Sequence, residues 1–461
     1  MRFERRMSDA EALMWTIEKD PALRSSFLQL TFLDRAPDFD RFRRRMERAV
    51  RVLPRLRQRV VPAPARLAPP EWADDPSFDL DFHVRRLAIP PPGTDRQLLD
   101  LAAILYEDAW DRARPLWSLT IVEGLEEGRA ALLAKMHHTI TDGVGGVRLS
   151  MQFIDLARDA PDPDPDDVDE APPADERGIL DIATEAAAHN LRRQLGILQR
   201  AAAGGAAVAT RPGRLVAAAG DVVETTRSLV RQLAVVEPAR SPLWTGRSLG
   251  HHFETLSVSL DEVKLAAKAL GGTVNDVFVT AVAGGAGAYH RAKGAEVDQL
   301  RMTMPVSIRS ESAAGGNAFS PSRVLVPTGT EGPLDRFAAV HERLAVTKRE
   351  PAINLFNSLA GVLNRLPTSV LTRVARQQAQ TVDFATSNVR AADFDLYIAG
   401  AEILSNHPMG PTAGTAFNAT VMSYRDGFDI GLNIDTAAVD DPGLLRSSIE
   451  DAFAELFAAR S

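Results

Sequence analysis

KMHHTITDGVGG, residues 135–146, is the stretch on which the reading of this chain turns. Immediately upstream, LWSLTIVEGLEEGRAALLAKMHH holds two apolar runs separated by Glu126-Glu127-Gly128, a turn signal. The spacing predicts two strands, the second delivering the histidines at its end. Downstream, GVGGVRLSMQFIDLA has the spacing of a helix. Neighbouring side chains on a strand point to opposite faces, so His137 and His138 cannot both face one site. Two histidines ligating a metal from a helix need i, i+4 spacing. Asp142 could join one of the pair, but no third ligand is suggested, so a metal site is not expected. Two chemistries stay open. The histidines can pair with buried carbonyls while Asp142 caps the next helix. Alternatively, one imidazole, whose ordinary pKa lies near 6.5, takes a proton from an alcohol at neutral pH. The strand alternation would aim one ring into a channel and the other inward. Gly143, Gly145 and Gly146 would leave room for a substrate or a second domain.

The rest of the chain narrows these options. It has 461 residues, 45% of them hydrophobic and 25% charged, which is enough for two or three domains with sizeable cores. A formal net charge of −8 disfavours nucleic acid as a main partner. There is no cysteine, which removes disulfides, thiolate metal sites and any Cys-bound acyl intermediate. The charged N-terminus predicts no secretory leader. No apolar run reaches the ~18–20 residues of a spanning helix, so the expectation is a cytoplasmic protein, soluble or held at a membrane surface.

Residues 1–158 read as one α/β half. DRFRRRMERAVRVLPRLRQRV predicts a helix ended by Pro54. Residues 159–176 alternate acid and proline and predict an exposed linker. An Ala-rich, helical stretch follows, whose apolar face at Leu215, Ala219, Val222, Thr226, Leu229 and Leu233 suits either packing on the protein or lying on lipid. Residues 159–244 are therefore a connection, and residues 245–461 a second α/β half. There, FETLSVSL alternates as a strand. DEVKLAAKAL is a helix ended by Gly271-Gly272, and TVNDVFVTAVAGGAGAYHRA is a second helix. LRMTMPVSIR is a strand, and PGLLRSSIEDAFAELFAA is a closing helix.

Two other motifs do not carry chemistry by this reading. GRSLG, residues 246–250, matches the G-x-S-x-G elbow around Ser248. The elbow needs a strand before it and a helix after it, and here a strand-like run follows. The second histidine pair, His251-His252, has no Asp-Gly behind it and is assigned no role.

MHHTITDG matches the HHxxxDG motif of CoA-dependent acyltransferases and peptide-synthetase condensation domains. With RPLWSLTIVEGL before it, GGTVNDVFVTAV far downstream, and MPVSIR and Gly316-Asn317 after that, the chain resembles the bacterial wax ester synthase/diacylglycerol acyltransferase (WS/DGAT) family. The similarity runs from MSDAEALMW to MSYRDGFDIGLNID. It implies a two-domain α/β (α+β) fold like chloramphenicol acetyltransferase, with the active site in an interdomain tunnel. It implies acyl-CoA as a substrate, no cofactor, and diacylglycerol or a fatty alcohol as acceptor, giving triacylglycerol or wax ester. His138 would be the general base, with His137 and Asp142 as its motif partners and Gly143 supporting the turn. Asp142 would pair with Arg309 of PVSIR in a buried bridge. Asn275 and Asp276 match the family's Asn-Asp motif, either shaping the site or capping a helix. Pro115, Leu116 and Trp117 match its PLW motif, as packing or as tunnel lining. Lipid substrates imply a membrane or lipid-droplet surface as a partner. Rival expectations are a donor bound to a carrier protein, or a non-catalytic lipid-binding protein. The family's Asn-Val-Pro-Gly-Pro reads Asn388-Val389-Arg390-Ala391-Ala392 here, which predicts a differently shaped loop and leaves the acceptor open.

Overall fold

The computed structural model describes residues 4–64, 68–140, 146, 149–162, 238–307, 319–329, 332–348, 360, 363–364 and 366–460. The strands before the acidic stretch are β1 (Ser26–Leu33), the small pair β2 (Gln58–Val61) and β3 (Glu71–Asp74), then β4 (Val84–Ala88), β5 (Trp117–Glu123) and β6 (Ala130–His137). After it come β7 (His251–Ser259), β8 (Gln299–Ser307), β9 (Phe319–Pro327), β10 (Phe384–Arg390), β11 (Tyr397–Ile398), β12 (Ala401–Met409), β13 (Phe417–Tyr424) and β14 (Gly427–Asp435). The helices are α1 (Asp9–Ile17), α2 (Phe39–Val52), α3 (Leu80–His83), α4 (Asp95–Glu107), α5 (Leu260–Ala269), α6 (Val274–Ala292), α7 (Pro333–Lys348), α8 (Thr368–Ala379) and α9 (Pro442–Ala459).

Two six-stranded sheets carry the fold, in the orders β11-β12-β1-β6-β5-β4 and β7-β14-β13-β10-β8-β9. The first is not built from one end of the chain. β12 lies beside β1, with Leu28 opposite Met409 and Thr31 opposite Asn406. The other side of β1 pairs with β6, placing Ser26 opposite His137. β1 is therefore an interior strand whose neighbours lie about 100 residues away in sequence on one side and more than 350 on the other.

Local sequence explains the elements that frame the site. Asp38 caps α2 through the backbone N–H of Arg41. The buried stripe Phe42, Met46 and Ala49 faces the core while Arg44 and Arg51 stay exposed. Pro54 follows the last turn, as the sequence predicts, and opens a short 3-10 turn. β5 and β6 are joined by a tight turn at Glu126–Gly128. All eight residues of β6 are buried, as both faces of its sheet are covered. Ala130, Leu132, Ala134 and Met136 enter one core with Trp117 and Phe42. Ala131 and Leu133 enter a second core with Leu28, Leu30 and Phe253. In the other sheet, Thr273 and Asp276 form a capping box that starts α6. Gly271, at φ +70°, ends α5 in a left-handed turn.

Hydrogen bonds tie the first sheet and its helix α4 to the second sheet. Asn406 donates its backbone N–H to the Asp429 carboxylate at 2.8 Å. Asn433 Nδ2 donates to the Gly410 carbonyl at 2.8 Å. On α4, Arg96 Nη1 donates to the Phe253 carbonyl and to Glu254 Oε1, both at 2.9 Å. β12 crosses β14 so closely that a Cβ on Gly431 would lie 2.3 Å from the Pro408 carbonyl oxygen. Only glycine fits at that crossing.

Candidate active site

β6 ends at His137, and the chain turns at once, with Ile140 N–H donating to the His137 carbonyl at 2.9 Å. The two histidines diverge as the strand alternation requires. His137 is fully buried, whereas His138 is partly accessible.

Partners on every side hold His137. Its backbone N–H donates to the Leu116 carbonyl at 3.0 Å, which ties it to Pro115-Leu116-Trp117. Thr139 N–H donates to Nδ1 at 3.1 Å, and the Thr139 hydroxyl also meets that nitrogen at 2.7 Å. Nδ1 is thus an acceptor, so the ring proton sits on Nε2, which donates to the carboxylate of Glu18 at the C-terminus of α1. Burial raises the Glu18 pKa. The hydrogen bond from His137, the Ser25 N–H and the charge of Arg112 outweigh it and hold the carboxyl below its ordinary value. The Trp15 ring meets His137 edge-on, centroids 6.1 Å apart, and Arg112 lies 4.0 Å from the Trp15 centroid.

His138 donates its backbone N–H to the Ser25 carbonyl at 2.9 Å. Its ring lies against Phe27 of β1, centroids 4.8 Å apart and planes tilted 48°. An imidazole on a rigid strand end, packed on one side by an aromatic ring and partly accessible on the other, can exchange a proton with a bound hydroxyl.

Pro115, Leu116 and Trp117 are buried, and the Trp117 indole N–H donates to the Leu56 carbonyl at 2.6 Å. They pack the wall behind the strand. His83 stacks on Trp117 at 4.5 Å and on Phe78 at 5.3 Å, and donates its Nδ1–H to the Trp117 carbonyl. Burial pushes the His83 imidazole down to about 4.

Asp276 is buried and accepts the Thr273 N–H and His341 Nδ1–H, each at 2.8 Å. It therefore caps α6 and also binds α7. Asn275 Oδ1 faces Asn388 Nδ2 at 3.5 Å, so the Asn-Asp pair and the start of the altered loop lie together. Arg390 continues β10 as its last residue, and Ala391 and Ala392 pack against the core that holds Met136 and Trp117. Asp142, Gly143, Gly145, Arg309 and the amphipathic stretch 195–237 lie outside the described residues.

Ser248 is no elbow. Its hydroxyl and N–H bind the Asp435 carboxylate at 2.7 and 2.8 Å, and strand β7 follows it. His251 and His252 belong to the seam between sheets. His251 Nδ1 meets Asn433 Oδ1 at 2.7 Å, and His252 Nε2 meets Glu254 Oε1 at 2.7 Å. Among the described residues, no group of three His, Cys, Asp or Glu side chains could hold a metal.

Sequence reading singled out neither Glu18 nor Phe27. Glu18 is 119 residues from His137. A lone acid after a short helix carries no local signal of such a partner.

Comparisons with known proteins agree on one relationship. The family model described as the wax ester synthase/diacylglycerol acyltransferase catalytic domain matches residues 7–278, and the WS/DGAT C-terminal domain matches residues 315–457. A Mycobacterium tuberculosis (strain H37Rv) protein named as a diacylglycerol O-acyltransferase is 36% identical over 460 residues, 99% of this chain and 92% of the relative. Another from that strain, bearing the same activity name, is 31% identical over 438 residues, 92% of this chain and 89% of the relative. The wax ester synthase/diacylglycerol acyltransferase structure from Marinobacter aquaeolei VT8 superposes with a TM-score of 0.64 at 21% identity, over 99% of both chains. The first condensation domain of the calcium-dependent antibiotic synthetase superposes with a TM-score of 0.60 at 16% identity, over 99% of this chain and 97% of that one. The fold is thus the two-domain acyltransferase architecture expected from the HHxxxDG stretch.

Proposed function

Because the chain belongs to the wax ester synthase/diacylglycerol acyltransferase family and is an acyltransferase, we propose that it moves a long-chain acyl group from acyl-CoA to the hydroxyl of diacylglycerol or a long-chain alcohol. His138 takes the acceptor's hydroxyl proton as the oxygen attacks the thioester carbonyl. The thioester C–S bond breaks, and the same imidazole returns the proton to the CoA thiolate. No acyl-enzyme is required, in keeping with a chain that has no cysteine. No cofactor enters this scheme. Acyl-CoA and acceptor meet between the two sheets.

One observation carries this reading: His137 is pinned and buried while His138, one residue on, remains partly accessible. In this scheme Glu18 and His137 position the turn from which His138 projects. The Asp142–Arg309 pairing is retained as part of the proposal, shaping the site without moving a proton.

The test is ester formation by the purified protein from palmitoyl-CoA, with hexadecanol and dioleoylglycerol in separate reactions. Wild type should give ester, and a folded His138→Ala variant should fall by ~10²- to 10⁴-fold. Equal activity in the variant would remove His138 as base. Among the described residues, no helix is long and apolar enough to cross a membrane. We propose attachment at a lipid surface through residues 195–237, to be measured by liposome flotation of full-length and deleted protein. Equal recovery of both in the unbound fraction would end that part of the proposal.

A further inference from the structure

Where both faces of a sheet are covered, as at β6, an interior strand loses its side chains to packing. β1 has strands on both sides. On one of its faces, Leu28, Leu30 and Phe32 are buried in the core shared with α4. On the other face, Leu33 and Thr31 are buried, but Phe27 and Gln29 remain partly accessible. Their cross-strand neighbours on this face, Met136 and Ala134, are buried. Two residues beyond Met136, and on the same face by alternation, His138 is accessible again. The rings of His138 and Phe27 touch. The accessible side chains at this end of the sheet therefore form one line: His138, Phe27, then Gln29 about 7 Å further along the strand.

Gln29 is loosely held. Its Nε2 lies 3.5 Å from the Leu30 carbonyl and 3.5 Å from Asn406 Oδ1, both at the outer limit of a hydrogen bond. Asn406 Oδ1 already accepts the Thr31 hydroxyl at 2.8 Å. The Gln29 amide is thus a donor with spare capacity, on the same accessible face as the imidazole and separated from it by a flat apolar ring.

We propose that this face of β1 is the acceptor subsite, and that Gln29 makes it selective for diacylglycerol. The Phe27 ring is the wall that holds the acceptor's hydroxyl-bearing carbon beside His138. Gln29 donates Nε2–H to an ester carbonyl of the acceptor's glycerol backbone. A fatty alcohol has no carbonyl to offer and gains nothing from Gln29. The assignment rests on the acyl-transfer reading above, with Gln29 as a binding residue that takes no part in proton transfer.

The test compares three acceptors with palmitoyl-CoA in one detergent system: dioleoylglycerol, its dioleyl ether analogue, which keeps the shape but has no carbonyl, and hexadecanol. Wild type should use the diester with a kcat/KM ~5- to 10-fold above the diether, the worth of about one neutral hydrogen bond. In Gln29→Met, near-isosteric and apolar, that preference should vanish, the diester falling to the level of the diether. The wild-type comparison needs no variant, so a folding defect in Gln29→Met cannot hide the answer. Equal use of diester and diether by wild type overturns the proposal, as does an equal fall for all acceptors in the variant. No ester from wild type with any acceptor would overturn the acyl-transfer reading, and this assignment with it.

Discussion

At the scale of single residues, the site depends on a division of labour within one dipeptide. His137 spends both ring nitrogens on internal partners, and His138 lies against Phe27 and remains partly accessible. Glu18→Gln removes the carboxylate that accepts from His137 and should cost about 2 kcal/mol, the worth of a hydrogen bond to a charged group. Chemical denaturation at neutral pH measures it. Because the folded-state pKa of Glu18 is depressed, its contribution is present above about 4.5 and is lost as pH falls through the folded value. Wild type and Glu18→Gln should therefore converge in stability below pH ~4.5. His83 behaves in a related way with the opposite charge. Its folded-state pKa of about 4 lies below the ordinary 6.5, so the unfolded chain binds the proton more readily. The neutral form's advantage is complete above pH ~6.5 and falls by roughly 3 kcal/mol towards pH ~4. In His83→Phe, which keeps an aromatic ring between Phe78 and Trp117, that slope should flatten in denaturation curves taken across this window.

At the scale of elements, β12 decides whether the site exists. It covers one edge of β1 and crosses β14 at Gly431, where backbone meets backbone. Gly431→Val would push the strands apart and should destabilise by about 3 kcal/mol through overpacking. Thermal unfolding measures that loss. The same displacement shifts Asn406 and with it the surroundings of Gln29. α4 is the second tie, through Arg96 to β7. Helices α2, α5, α6 and α9 and strands β5, β6, β7 and β8 were legible locally. The cap at Asp38, the Pro54 stop, the Glu126–Gly128 turn and the Gly271 stop all fall where residue type demands. The stretch GVGGVRLSMQFIDLA is described only in part, with a turn at Met151–Phe153.

At the scale of the whole molecule, the halves cannot be independent. A fragment ending at residue 244 would lack β11 and β12 and leave β1 with an open apolar edge. Expressed alone, residues 1–244 should aggregate, and co-expression with residues 245–461 should restore soluble material. A soluble, monomeric fragment with native-like near-UV dichroism would contradict this. The net charge of −8 and the lack of cysteine restrict the chemistry of the whole chain without placing any residue.

By itself, the sequence determined the family, the two-domain mixed α/β fold and the divergence of His137 from His138. These follow from short-range rules of strand alternation, caps and turns, and from a set of short motifs in a fixed order along the chain. Tertiary structure alone decided which histidine is buried, because that depends on Glu18 across 119 residues and on Leu116 from the adjacent strand. It alone brought residues 401–409 and 130–137 to either side of residues 26–33, and so placed Phe27 against His138. Strand pairing over such separations is set by which apolar faces are buried together, and no local pattern in β1 or β12 encodes its partner.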